Sequence, residues 1–256
     1  MTSSDIADRI VQAILAQKLA PGVRLGEQAL SMLFDCSRTL VREAMMQLTA
    51  RGIVTVSARR GWYVVQPSLD EAREAFEARQ VIETGLIRRA TPMDKSTLGR
   101  LKRHIQDEKQ ALKGSDIGRR SYLLGDFHVC LAECLGNQLL ADTLRDFTAR
   151  TTLIAMLYQS THDAEQSCQD HVEIVNALAK GDTALAESLM AKHIGDVQQA
   201  LALDSATADP LAALRTALTP LNNAPAATQA TRRRKGSVAA KDSPTPATET
   251  YLGALL

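Results

Sequence analysis

The sequence predicts a mainly α-helical protein built from two folded parts. Apolar residues recur at helical spacing along most of residues 6–203, and Pro- or Gly-containing joints separate the helical segments. Two short runs rich in β-branched and aromatic residues, on either side of Gly61, predict a single hairpin. We therefore expect three helices and a hairpin in residues 1–67, an antiparallel all-helical bundle in residues 68–204, and a tail in residues 205–256.

Composition limits the class of protein. At 256 residues and 45% hydrophobic content, the chain can bury a sizeable core. It has no run of about 18 apolar residues and no signal-peptide pattern, so we expect a soluble cytoplasmic protein with no membrane partner. None of the four cysteines is spaced as a zinc or redox pair. Residues 1–67 carry eight Lys or Arg against five Asp or Glu, a basic excess that suits a DNA-binding part.

The first two helices end at clear breaks in the pattern. The apolar face of the first helix consists of Ile6, Ile10, Ile14 and Leu15. Pro21-Gly22 stops that helix and turns the chain. Residues 27–34 predict a short second helix in which Leu30 and Leu33 point inward.

The third helix is expected to begin after Ser37, a good N-cap residue. Its apolar face, spaced i, i+3, i+4 and i+7, consists of Val41, Ala44, Met45 and Leu48. The polar side gathers Arg38, Thr39 and Arg42 in the first turns. Arginine forks match phosphates and the O6/N7 edge of guanine, whereas a merely solvated helix more often mixes Lys and Glu. Taken alone, the segment is best read as a capped amphipathic helix with two exposed arginines, and the elements around it favour a DNA-reading helix.

The hairpin is predicted from residues 53–56 and 62–65, with Arg59, Arg60 and Gly61 at its tip. Three helices followed by a basic hairpin is the order of a winged helix-turn-helix domain. In such a domain the third helix enters the major groove and the hairpin tip contacts the backbone or the minor groove. We therefore expect the two arginines of the tip to contact DNA.

The N-terminal motifs resemble the GntR family of bacterial regulators. The matching segments are Pro21-Gly22-x-Arg24-Leu25-x-Glu27, Ser37-Arg38-Thr39-x-Val41-Arg42-Glu43-Ala44 and Arg60-Gly61. The resemblance implies that the DNA contacts fall on Arg38, Thr39, Arg42, Gly61 and Gln28. The chain departs from the family at Leu40, where proline is common.

Residues 69–90, 94–113, 118–135, 138–160, 166–180 and 183–203 predict six helices joined by short turns. They resemble the FCD effector domain of the FadR-type branch. The segments that carry this resemblance are Phe76-Glu77-Ala78-Arg79-x-x-x-Glu83, Phe127-His128, Asp170-His171, Gly181-Asp182 and His193-Ile194.

Three histidines, His128, His171 and His193, lie on the apolar faces of three different predicted helices. A buried imidazole without a partner is costly, and three neutral imidazoles together can bind a divalent transition metal such as zinc or nickel. The alternatives are three core residues or a polar effector pocket without metal. Metal-binding members of the family commonly have an aspartate one turn before the first of these histidines, where this chain has Leu124.

Arg79 and Glu83 project on one inward face of the first bundle helix. Two readings remain open from the sequence. The pair is a structural ion pair, or Arg79 is a bidentate clamp for a carboxylate effector.

These resemblances imply a transcriptional repressor, not an enzyme, that binds a palindromic DNA operator as a homodimer. A small-molecule effector, expected to be a carboxylate, would control operator binding. One alternative is a metal-dependent hydrolase with a three-histidine centre, although no inward carboxylate is evident as a general base. The other is an effector-independent DNA-binding protein. The tail, with its Ala, Thr, Pro and Asn content and basic cluster at 232–235, is expected to be disordered.

Overall fold

A computed structural model describes residues 1–57, 61–158 and 163–201. These residues form nine helices and three short strands, which confirms the mainly α prediction. The helices are α1 Ser3–Leu15, α2 Glu27–Leu33, α3 Arg38–Ala50, α4 Leu69–Arg88, α5 Lys95–Lys113, α6 Ile117–Cys134, α7 Gln138–Leu157, α8 Ala164–Ala179 and α9 Thr183–Gln199. The strands are β1 Arg24–Leu25, β2 Val54–Ser57 and β3 Gly61–Val64. The expected tail and the tip residues Arg59 and Arg60 lie outside the described residues.

The N-terminal part has the expected winged helix-turn-helix order, with one strand more than predicted. β1 pairs with β3, so the antiparallel sheet has the order β1-β3-β2. Two residues are too short to show the alternation that identifies a strand, and β1 was missed for that reason. The inward prediction for Leu33 was also wrong, because its side chain is 75% exposed whereas Leu30 packs on the core.

Side-chain caps explain where the helices begin. The hydroxyl of Ser37 accepts a hydrogen bond from the backbone N–H of Leu40 at 3.2 Å, which fixes the start of α3. In the bundle the capping residues are Ser68, Asp94, Asp116, Asn137, Asp163 and Asp182. Each of these residues satisfies a backbone donor that would otherwise lack a partner.

The six bundle helices pack mainly in a ring, in the order α4-α7-α6-α5-α8-α9 and back to α4, and α6 also contacts α8 and α4. Their shared interior is apolar and includes Phe76, Phe127 and Met190. A ring of six helices encloses space at its centre, and inward side chains from several helices meet there. No helix in the described part of the chain is long and apolar enough to cross a membrane.

The N-terminal part and the bundle share a packed interface through α7. Ala149 and Leu153 of α7 are fully buried in the same apolar cluster as α1 and α3. Arg51, at the end of α3, donates to Asp146 of α7 at 2.6 and 2.8 Å. The interface therefore joins α3, the predicted DNA-reading helix, directly to a helix of the bundle.

Candidate DNA interface and metal centre

The predicted DNA-reading residues lie together on the outer side of α3. Arg38, Thr39 and Arg42 are exposed, and the two arginine side chains retain 65% and 61% of their accessible surface. Gln28 is exposed on α2. The structure thus presents two guanidinium groups, a hydroxyl and an amide on one side of the domain, where a nucleic acid can reach them.

Glu27 organises this surface, a role that the sequence analysis missed. Its carboxylate accepts hydrogen bonds from Arg42 Nε at 3.0 Å and Nη2 at 2.9 Å, and from Trp62 Nε1 at 3.1 Å. Arg38 Nη2 lies 3.8 Å from the same carboxylate. Hydrogen bonds from Arg42 and Trp62 lower the pKa of Glu27 to about 2, so it stays ionised at neutral pH. The sequence signal that could have revealed this role is an acidic residue close to several basic residues.

Gly61 begins the second strand of the hairpin. Its φ of +91° lies in a region that side chains rarely adopt, and the residue pairs with Ser57 across the hairpin. Glycine is therefore required here by the turn itself. The predicted contacts of Arg59 and Arg60 lie outside the described residues.

The structure brings the three predicted histidines into one buried cluster. His128 comes from α6, His171 from α8 and His193 from α9, and each is at most 4% exposed. One nitrogen from each ring lies within 4.8 Å of the others. The ring of Phe127 stacks on His171 at a centroid distance of 3.8 Å and fixes its plane.

Each histidine is held by a carboxylate on its Nδ1 side. His128 Nδ1 lies 2.5 Å from Glu83, His171 Nδ1 lies 3.1 Å from Glu108, and His193 Nδ1 lies 3.0 Å from Asp170. The expectation that no inward carboxylate lies near the histidines was wrong, because these three come from α4, α5 and α8. Each carboxylate lies on the Nδ1 side of its ring, so Nε2 is the nitrogen of each ring on which a metal could be coordinated.

Burial keeps two of the rings neutral. Desolvation lowers the pKa of His128 to about 3 and that of His193 to about 4. Although burial opposes ionisation of Glu83, the hydrogen bond from the ring of His128 and the guanidinium of Arg79 hold the pKa of this carboxyl below its usual range. A neutral imidazole whose Nδ1 faces an ionised carboxylate has an available lone pair on Nε2, the form in which histidine binds metals.

The chemistry of this cluster fits a divalent transition metal. Nε2 of His171 is buried and has no hydrogen-bond partner, an arrangement that is costly unless something binds there. Three imidazoles backed by carboxylates would supply the ligands. Leu124 lines the same cavity and offers no oxygen, so the aspartate of metal-binding relatives has no counterpart at this position.

The histidines face a cavity of about 410 Å³ between the bundle helices, a size suited to a small organic ligand. Arg79 lines it as well, but its guanidinium is already engaged. Nε donates to Glu83 at 2.9 Å, and Nη1 donates to the hydroxyl of Thr151 at 3.0 Å. The predicted ion pair is therefore present, and a clamp role for Arg79 has to coexist with these two bonds.

His104 has a role that its sequence position did not reveal. It is not one of the three clustered histidines, but its Nε2 lies 3.3 Å from the carboxylate of Glu108 and 3.0 Å from the carbonyl oxygen of Leu123. Glu108 thus lies between His104 and His171. The contacts of Glu108 with His104 and His171 were not identified from the sequence, since only the folded bundle places α5 beside α8.

Comparison with known proteins agrees with this geometry. Residues 2–64 match the family model of bacterial regulatory proteins of the gntR family, and residues 74–196 match the FCD domain model. The chain is 28% identical over 185 residues to the HTH-type transcriptional repressor RspR of Escherichia coli K12, covering 72% of this chain and 81% of that protein. It is also 28% identical over 210 residues to the HTH-type transcriptional regulator LutR of Bacillus subtilis 168, covering 72% and 94%.

Solved structures share the fold. A GntR transcriptional regulator from Rhodococcus sp. RHA1 superposes with a TM-score of 0.66 at 24% identity, covering 77% of this chain and 95% of that one. Escherichia coli McbR/YncC superposes with a TM-score of 0.64 at 18% identity, covering 75% and 93%. The hydrolase alternative fails, because the family and the relatives are regulators. The chain therefore belongs to the GntR family of bacterial regulators, in the branch that carries an FCD domain, and is a transcriptional regulator and not an enzyme.

Proposed function

We propose that this regulator is a homodimeric, cytoplasmic repressor that leaves a palindromic operator when a carboxylate effector binds beside a metal in the bundle. The observation that carries this proposal is the buried cluster of His128, His171 and His193, in which Nε2 of His171 has no partner. A buried nitrogen without a hydrogen-bond partner favours the binding of a metal ion or another ligand at that nitrogen. Repression is supported by the relative RspR, which is named a repressor.

DNA binding would use one α3 helix from each protomer. Two such helices related by two-fold symmetry reach successive major grooves about 34 Å apart, which requires a palindromic operator. Arg38 and Thr39 are exposed, and within the described residues the one ion pair of Arg38 is its loose approach to Glu27 at 3.8 Å. Arg42, already oriented by Glu27, would contact the backbone or a base edge from a fixed position.

At the effector site, a bound metal would supply positive charge and open coordination positions for a carboxylate oxygen. The chain's own residues hold and orient the three imidazoles through Glu83, Glu108 and Asp170. Arg79, fixed by two hydrogen bonds, adds a second positive charge to the same cavity wall. An anionic ligand is the class that these charges favour.

Helix α7 offers the connection from this cavity to the DNA-binding domain. Thr151 and Thr152 of α7 line the cavity, and Asp146 of the same helix holds Arg51 at the end of α3. Beyond the cavity, the hydroxyl of Tyr158 donates to the carbonyl of Pro67, in the segment between the domains, at 3.0 Å. A shift of α7 on ligand binding would reach α3 and the linker together, and allosteric coupling of this kind amounts to about 1–3 kcal/mol.

The test begins with selection of DNA sequences from a random library by the full-length protein, with its mass in solution measured by light scattering. The account expects a palindromic consensus and a dimer. Affinity for the selected DNA is then measured after chelation, with zinc, and with zinc plus citrate or lactate. A five- to 150-fold loss of affinity with metal and acid together is expected. An unchanged affinity in all conditions, with metal and acid shown to bind, would support the effector-independent alternative.

A further inference from the structure

The cavity beside the histidines extends to a mouth that two different parts of the chain form. Arg120 and Ser121 of α6 line it, and so does Gln17, which lies in the turn after α1 in the DNA-binding domain. The volume of about 410 Å³ leaves room for more than a metal ion and one carboxylate group. A ligand of sufficient length can therefore reach from the histidines to the mouth.

Arg120 is placed to bind an anion at this mouth. It lies on the same face of α6 as Leu124 and His128, at spacings of four and eight residues, and all three line the cavity. The rise along the helix from Arg120 to His128 is about 12 Å. Arg120 is a half-buried residue and makes no ion pair with any residue in the described ranges. By contrast, Arg79 is already bonded to Glu83.

Gln17 is held at the mouth by the backbone around it. Its φ of +53° is unusual for a residue other than glycine, and its N–H donates to the carbonyl of Ile14 at 2.8 Å. The turn packs directly on α6, where a Cβ atom at Gly118 would lie 3.0 Å from the carbonyl oxygen of Ala16. Ser121 of α6 also donates to the carbonyl of Leu15 at 2.9 Å. Gln17 therefore has a fixed position relative to Arg120.

Apolar side chains also line the cavity. They are Ile117, Leu124, Ala155, Met156 and Val197, and they share the wall with the hydroxyl residues Thr148, Thr151, Thr152 and Ser167. Polar groups at the histidines and at Arg120, with apolar side chains in the wall of the same cavity, match a molecule with two anionic ends and a methylene chain. A short hydroxy acid would satisfy only the end at the histidines.

We propose that Arg120 and Gln17 form a second carboxylate subsite, so that the effector is a dicarboxylate spanning from the histidine cluster to the DNA-binding domain. This inference rests on the proposed function, since it assumes a carboxylate at the histidines. The guanidinium of Arg120 binds one carboxylate through parallel hydrogen bonds, and the side-chain amide of Gln17 donates another. Because Gln17 belongs to the DNA-binding domain, such a ligand contacts both domains at once.

The experiment measures by calorimetry how straight-chain acids bind to the full-length protein loaded with zinc. Dicarboxylates from succinate to azelate are each compared with the monocarboxylate of the same length. For suberate and azelate, the dicarboxylate is expected to bind roughly ten- to a hundredfold more tightly, the effect of a hydrogen bond to a charged group. Succinate and adipate are expected to gain little, because their chains hold the two carboxylates well short of the about 12 Å of helix between Arg120 and His128.

Two pairs of variants test whether Arg120 and Gln17 cause the tighter binding of dicarboxylates. Arg120→Ala should abolish the preference for the dicarboxylate, whereas Arg119→Ala, a neighbouring exposed arginine outside the cavity, should keep it. Gln17→Ala should reduce the affinity for the long dicarboxylates roughly two- to tenfold, and Gln12→Ala on α1 should not. Thermal unfolding checks that each variant is folded, and Arg120→Lys, which keeps the charge, should retain part of the preference if Arg120→Ala is unstable.

The outcomes separate this proposal from the one on which it rests. An equal preference for dicarboxylates in wild type and Arg120→Ala would overturn the subsite while leaving the carboxylate effector intact. So would a wild type that binds monocarboxylates and dicarboxylates equally at every length. Failure of all the acids to bind would instead contradict the carboxylate effector, and the subsite with it.

Discussion

Glu27 binds the guanidinium of Arg42 with both carboxylate oxygens, at 3.0 and 2.9 Å, and accepts a third hydrogen bond from Trp62 in the hairpin. One carboxylate thus joins α2, the proposed DNA-reading helix α3 and strand β3. Two hydrogen bonds orient the guanidinium of Arg42 in the absence of DNA, whereas Arg38 only approaches the same carboxylate at 3.8 Å. Fixing a side chain in advance reduces the entropy lost on binding.

Arg38→Ala is expected to weaken binding to the selected operator about ten- to a hundredfold. A bidentate contact between arginine and guanine is worth about 1–3 kcal/mol, and Arg38 is the less constrained of the two arginines on α3. Fluorescence anisotropy with labelled DNA measures the affinity. Arg103→Ala, an exposed arginine on α5, should bind as wild type does. Equal affinity of folded Arg38→Ala and wild type would refute the assignment of α3 as the reading helix.

Glu27→Gln is expected to lower specificity while it raises nonspecific affinity. Loss of the negative charge strengthens attraction to phosphates, but Arg42 loses the anchor that orients it. The ratio of operator to random-sequence affinity should fall, and nonspecific binding should become more salt-dependent. Glu43→Gln, an equal charge change at an exposed position on α3, is the control. If both variants change the ratio equally, the effect is only one of charge.

Glu108→Gln is expected to weaken metal binding about ten- to a hundredfold without removing a ligand. Glu108 faces Nδ1 of His171 at 3.1 Å, and carboxylates in this position orient the ring and raise its basicity. A competition titration with a zinc-sensitive dye gives the affinity. Glu173→Gln, on the exposed side of α8, should have no effect. Unchanged zinc affinity in Glu108→Gln would mean that the carboxylate only fills the core.

The metal-free protein should lose stability as the pH falls from about 6.5 towards 4. Folding lowers the pKa of His128 to about 3 and that of His193 to about 4 from the ordinary value of 6.5, so in this window the unfolded chain takes up protons that the folded chain excludes. The expected loss is of the order of 1–2 kcal/mol per histidine by pH 5. Glu83 and Glu108 add to the loss below about 4.5.

Urea unfolding at pH 7.5 and pH 5, with a chelator present, measures this loss. The free energy of unfolding of His193→Asn should depend less on pH, because this variant lacks one of the two histidines whose protonation the folded state opposes. A free energy of unfolding that is the same at both pH values in wild type would contradict the neutral, buried state of these rings.

Much of the fold could be predicted because capping residues and apolar spacing within each segment determine where a helix forms. The capping residue Ser37 and the apolar positions Val41 and Met45 are visible in the sequence, and the structure places α3 accordingly. The inward position of the three histidines was predicted in the same way, since helical periodicity assigns each residue to a face. Strand β1 and the exposure of Leu33 depend on neighbours distant in sequence, and periodicity does not report them.

The supporting residues of the site could not be predicted for a similar reason. Glu108 reaches His171 from a helix 63 residues earlier in the chain, and Gln17 reaches the cavity from another domain. Their roles depend on which helices are neighbours in the ring of six. Asp170 and Glu83 lay inside quoted motifs, yet their pairing with His193 and His128 follows only from the fold.

The most direct test of this account is the metal content of the purified full-length protein after incubation with zinc, nickel or manganese and removal of free ions. Inductively coupled plasma mass spectrometry measures the ion, beside a His171→Ala/His193→Ala variant shown to be folded by circular dichroism. The account predicts about one ion per chain in wild type and almost none in the variant. Absence of metal from wild type, or equal amounts of metal in both proteins, would contradict the metal centre. The three histidines would then be core residues without a metal.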